Sequence, residues 1–141
     1  DKDKTSLALT VFYIHWYNEF GDTADLVLEN LNDMFIEWSL DLMDFERGYD
    51  IDGNFIEEGK ASGLMHGKKH IQVYLGEGMK IYETSLVHEL VHASIKALTH
   101  NNGDPDHEGS KYEGWTPRHT ELIEEVNEHL RLMESFDAQK Y

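Results

Sequence analysis

Two histidines four residues apart, with a glutamate directly after the first, form the segment His88-Glu89-Leu90-Val91-His92. The surrounding apolar residues Leu86, Val87, Leu90, Val91, Ile95 and Leu98 recur at helical spacing. They take up most of the circumference of a helix, as in a helix buried inside a core. His88, Glu89 and His92 fall on the remaining arc with Ser85, Lys96 and Thr99. Side chains four apart on a helix lie one above the other, so both imidazoles can reach one metal ion while the backbone stays regular. A polar face on a buried helix is costly unless something binds it. The chain has no cysteine, so a thiolate site is excluded and any zinc must use His, Asp or Glu. One zinc ion per chain is therefore expected, held by His88 and His92. Glu89 stands where it can accept a proton from a water that the metal has acidified. Glu83, Thr84 and Ser85 supply capping groups and a negative charge at the start of this helix.

At 141 residues the chain fits one domain, 1–141, large enough for a real core. Residues 1–5 are expected to form a flexible N-terminal segment. The net charge of −16, from 12 basic and 28 acidic residues, speaks against nucleic acid or an anionic membrane surface as a partner, because phosphate binding needs a basic face. The apolar run Leu7–Trp16 is too short to span a bilayer. The chain starts at Asp1 rather than at a methionine, which favours a secreted or cell-envelope setting over the cytoplasm.

Ser6–Trp16, rich in Val, Ile, Phe, Tyr and Thr, predicts a core strand. A helix is predicted over Ala24–Met43, with Val27, Leu31, Met34, Phe35, Trp38 and Leu42 as its stripe. Asp52-Gly53 within Gly48–Glu58 is a hairpin signal. Lys69–Leu75 alternates His70, Gln72 and Tyr74 with Ile71, Val73 and Leu75, which predicts a strand with one wet face, open to a peptide by edge addition. After the metal helix, Asn101–Arg118 reads as a polar loop. A last helix follows, capped by Thr116 or Thr120, with Leu122, Ile123, Val126, Leu130 and Met133 on one face.

With the His88–His92 motif, this order resembles a minimal zincin, the metallopeptidase fold built around such a helix. The resemblance implies an α+β domain: a small mixed sheet packed against the metal-binding helix and two further helices. It also implies a zinc metallopeptidase acting on a peptide or protein substrate, with Glu89 as general base. Zincin families differ in the third ligand, and here several residues compete. His107, fifteen residues after His92 in Gly103-Asp104-Pro105-Asp106-His107-Glu108-Gly109, is the leading candidate. Its flanking acids could orient the imidazole, and its distance from the helix resembles the SprT-like proteases. His119 is the second candidate. If it is not a ligand, it is a candidate oxyanion donor, as are Tyr112 and Arg118. Asp104 or Asp106 would resemble the aspzincins, Glu113 has a spacing near that of the gluzincins, and His100 is too close to the same helix to swing round. His15, His66, His70 and His129 read as surface or packing residues, and Trp115-Thr116-Pro117 as a rigid anchor for the loop. Two rival readings stay open: a non-catalytic zinc-binding or structural protein with a closed fourth ligand position, and a metal-dependent hydrolase of another amide or ester.

Overall fold

The computed structural model describes residues 2–45, 59–99 and 115–139. Within them four α-helices and two small sheets make a mixed α+β architecture. Helix α1 spans Lys2–Phe20 and, after a 3-10 turn at Gly21–Thr23, α2 spans Ala24–Asn32. Strands β1 (Phe35–Ser39), β2 (Met43–Phe45), β3 (Gly59–Ala61), β4 (Gly63–Gly67) and β5 (His70–Tyr74) follow. A 3-10 turn at Ile81–Glu83 leads into α3 (Leu86–Thr99), and α4 spans Pro117–Gln139. One sheet has the order β1-β5-β4, with β5 parallel to β1 and antiparallel to β4; β2 and β3 form a separate antiparallel pair.

Three sequence expectations change. The predicted strand Ser6–Trp16 is part of α1, and residues 2–5 form its first turn rather than a flexible segment. The segment is apolar nearly all round, so strand and helix patterns overlap in it. The residues it buries, Ala8, Val11, Phe12 and Trp16, are spaced by three and four, as one face of a helix requires. The long helix over 24–43 ends at Asn32, where Asn32 and Asp33 are poor helix formers. Phe35–Ser39 instead pairs with β5, in the register Phe35↔His70 to Ser39↔Tyr74. Tertiary pairing has overridden a local helical stripe in which Val27 and Leu31 alone are helical. The proposed Asp52-Gly53 turn lies outside the described residues, although β2 and β3 on either side do pair antiparallel.

The alternation at 69–75 holds. Ile71 and Val73 are buried while His70, Gln72 and Tyr74 face the other way, half-buried. However, β5 is the central strand and has no free edge; the edges of this sheet belong to β1 and β4. The core packs α3 onto the inner sheet face, with α2 and α4 against α3 and α1 against α2 and α4, through Phe12, Trp16, Leu86, Leu90, Ile71 and Leu122, among others. Helix α3 is the most enclosed element, with Leu86, Val87, Leu90, Val91, Ala93 and Ile95 at 1% exposure or less. No helix of the described residues is long and apolar enough to cross a membrane.

Candidate metal and catalytic site

The start of α3 is fixed from two directions. Thr84 Oγ1 accepts a hydrogen bond from the Leu86 N–H at 3.2 Å, and the Ser85 carbonyl accepts from the Glu89 N–H at 3.0 Å. Ser85 therefore occupies the N-cap position, while its hydroxyl bonds Ser62 Oγ at 2.6 Å. That contact ties the first turn of α3 to the chain entering β4.

On the arc this turn presents, His88 Nε2 and His92 Nε2 are 3.1 Å apart, with ring centroids at 4.8 Å. Two imidazole nitrogens bound tetrahedrally to zinc at roughly 2.0–2.1 Å would stand about 3.4 Å apart. The pair is within a few tenths of an ångström of that separation. Trp115 walls it in: its ring centroid is 5.5 Å from that of His88 and 4.7 Å from that of His92. The indole is 1% exposed, and its Nε1–H donates to Thr120 Oγ1 at 3.0 Å. Trp115, read from sequence as part of a loop anchor, is a wall of the histidine pair.

Glu89 is 6% exposed. Its neighbour across the helix–sheet contact is Gly63, at the start of β4. A Cβ on Gly63 would stand 2.7 Å from Glu89 Oε2, 2.8 Å from Glu89 Cγ and 2.9 Å from Ser85 Cβ. The missing side chain is what lets the strand backbone lie against the carboxyl group. Burial raises the Glu89 pKa to about 7, because desolvation disfavours the ionised form. That places the carboxyl near the operating pH of a general base. Gly63→Ala is expected to force Glu89 and the first turn of α3 aside, costing about 1–3 kcal/mol by overpacking. Denaturant unfolding of the two proteins measures this, and equal midpoints would show that the contact is slack.

His119 sits in the first turn of α4. Thr116 precedes α4 and Pro117 is its first residue, a position that suits proline because its missing N–H has no partner there. The Thr116 N–H donates to His119 Nδ1 at 3.0 Å, and Thr116 Oγ1 lies 2.9 Å from the same nitrogen. The His119 ring thus supplies the N3 half of a capping box, in the place usually held by Glu or Gln. A backbone N–H can only donate, so Nδ1 is the acceptor and the proton of the neutral ring sits on Nε2. Nε2 is then a donor, which matches an oxyanion partner better than a zinc ligand. The ring stacks on Phe20 at 4.3 Å and 15°, beside Trp16 at 5.5 Å. Burial lowers its pKa to about 4. The folded state thus disfavours the imidazolium. Its contribution to stability is complete above pH 6.5 and is lost as pH falls from 6.5 towards 4. His119→Gln keeps an acceptor for the Thr116 N–H and cannot titrate. Thermal melts between pH 7 and 4 should fall less steeply for this variant than for the wild type; parallel profiles would contradict the assignment.

His107 and Tyr112 lie outside the described residues, as do the alternatives His100, Asp104, Asp106 and Glu113. Among the described residues, no three His, Asp, Glu or Cys side chains are grouped to hold one metal ion. The Arg118 Nε donates to Glu19 Oε1 at 2.6 Å on the surface, which engages it away from the histidine pair. His66 and His70 sit on the outer sheet face, bonded to Gln72 at 2.9 Å and Glu37 at 3.1 Å. His15 Nε2 lies 2.9 Å from His129 Nδ1, bridging α1 and α4. Burial first, then the second imidazole, lowers the His15 pKa. No local spacing could have paired residues 114 positions apart. Gly63 was equally invisible, since nothing in sequence links it to Glu89. Trp115 was legible as an anchor but not as a wall. Comparison with protein-family models, curated proteins and solved structures finds no match.

Proposed function

We propose that this chain is a zinc-dependent metallopeptidase of minimal zincin type. The observation that carries the reading is the facing pair of Nε2 atoms of His88 and His92, 3.1 Å apart, beside a buried Glu89 whose pKa is raised to about 7. The donor set suits zinc: two imidazoles, no thiolate, and a carboxyl group in reserve. His88 and His92 would hold the ion, with His107 as the third ligand. When bound, zinc would supply Lewis-acid activation of water and of a substrate carbonyl.

The chain's own residues do the rest. Glu89, walled by Gly63 and Ser85, takes a proton onto its carboxylate as water attacks the peptide carbonyl, then hands it to the leaving amine. Trp115 keeps one side of the pair dry, which strengthens electrostatic interactions within the site. His119, neutral with its proton on Nε2, and Tyr112 are the oxyanion donors of this reading. A hydrolase of another amide or ester would use the same groups, and the substrate's shape alone would separate the two.

The test is hydrolysis of a quenched-fluorescence peptide library by zinc-loaded protein. Cleavage that a chelator abolishes and added zinc restores is expected. Zinc binding with no cleavage of any peptide would favour the non-catalytic reading.

A further inference from the structure

One unfilled space against the core is remote from the histidine pair. A cavity of about 310 Å³ lies between the first turns of α1, the ends of β1 and β5, the 3-10 turn before α3, and the last turns of α4. None of His88, Glu89, His92 or Trp115 lines it. Trp38, Leu75, Ile81, Leu130 and Met133 form its apolar wall. Protein interiors are close-packed and voids of this size are few. A cavity of about 150 Å³ already accepts benzene, and ligand sites begin near 300 Å³.

The charges at its rim are unequal. Lys80 Nζ is 2.7 Å from Glu134 Oε1, so those two neutralise each other. Lys4 also lines the cavity, is exposed, and has no ion pair among the described residues. Among the described residues, a cation without an ion pair, Lys4, therefore stands at the mouth of an apolar chamber, on a chain whose net charge is −16. We propose that this cavity is a binding site for a small amphipathic carboxylate, its apolar body against Trp38 and Leu130 and its carboxylate towards Lys4. At about 30 Å³ per non-hydrogen atom, the share of a water molecule in the liquid, the space holds roughly ten such atoms. A straight-chain C8 acid has that size. The inference does not depend on the zinc reading.

The experiment is calorimetric titration of octanoate into the metal-free wild-type protein, so that neither zinc nor turnover contributes. Saturable one-site binding with a Kd at or below about 1 mM is expected for a ligand of this size. Trp38 is the indole that lines the cavity, so its fluorescence should change on binding and Trp38→Phe should lose the signal while keeping the heat. Met133→Trp, folded by circular dichroism, should abolish binding by filling the space; Leu130→Phe serves if that variant does not fold. Lys4→Glu should weaken octanoate roughly fivefold, as expected for a solvent-exposed ion pair, and leave octanol unchanged. Absence of saturable binding by the folded wild type would overturn the proposal. So would binding that survives a filled cavity, or equal loss of octanoate and octanol affinity in Lys4→Glu.

Discussion

Glu89→Gln is expected to keep its zinc and lose about 10²–10⁴-fold of peptide turnover, the usual worth of a positioned general base. Glutamine is nearly isosteric, so it can occupy the space left by Gly63 without the overpacking that a Cβ at Gly63 would cause. It cannot take up the proton. The same substitution has a second signature in the metal-free protein. With the pKa of Glu89 raised from 4.5 to about 7, the folded state binds the proton more tightly than the unfolded state. The carboxyl's contribution to stability is complete below pH 4.5 and is lost as pH rises through 7, a fall of about 3 kcal/mol. Glu89→Gln abolishes that fall, so the metal-free variant should be the more stable protein at pH 8 and gain nothing at pH 4. Zinc content by elemental analysis, initial rates and denaturant melts at the two pH values measure all of this. A variant that loses zinc, or that turns over at the wild-type rate, would remove Glu89 from the chemistry.

Zinc affinity should fall roughly 100-fold or more in His107→Ala and far less in His119→Ala. Loss of a ligand should cost at least as much as loss of the groups that orient ligands, which is typically 10–100-fold. The two helical ligands hold the ion from one side, so a third must come from a segment that folds back over α3. The sequence after α3 contains Gly103 and Pro105, residue types that favour a turn, and sets His107 between acidic neighbours. His119 has its Nδ1 committed to the Thr116 N–H, leaving a protonated Nε2. To ligate, it would have to give up the cap of α4. Competition titrations against a zinc chelator decide. Wild-type affinity in His107→Ala, with loss in His119→Ala, would reverse the assignment.

What was legible in the sequence was the part set by local periodicity. Helix α3, its caps at Thr84 and Ser85, the alternation of Ile71 and Val73, and Thr116 as one of two candidate caps of α4 all follow from side-chain spacing and end chemistry, although Pro117 and Arg118, read as loop, are the first residues of that helix. The segments read wrongly are those where local pattern underdetermines structure. Apolar residues all round 6–16 fit either a strand or a helix, and the packing of Phe12 and Trp16 against the core resolves the choice. Phe35–Ser39 continues a helical stripe in sequence but gains a full parallel register with β5. In the site, the His88–His92 arc was readable because helix geometry alone creates it. Its surroundings were not. Gly63 against Glu89, Trp115 against the histidines, and the Phe20 stack on His119 are contacts between elements. The pKa directions of Glu89 and His119 follow from those contacts through burial.

The central claim is that His88 and His92 share one zinc ion. Anomalous diffraction on either side of the zinc absorption edge, from crystals grown with zinc and without chelator, tests it most directly. One peak per chain is expected, about 2.0–2.1 Å from Nε2 of both histidines, with Glu89 outside bonding distance. A featureless map between the two imidazoles in protein that otherwise matches this fold, with no zinc taken up in solution, would contradict it.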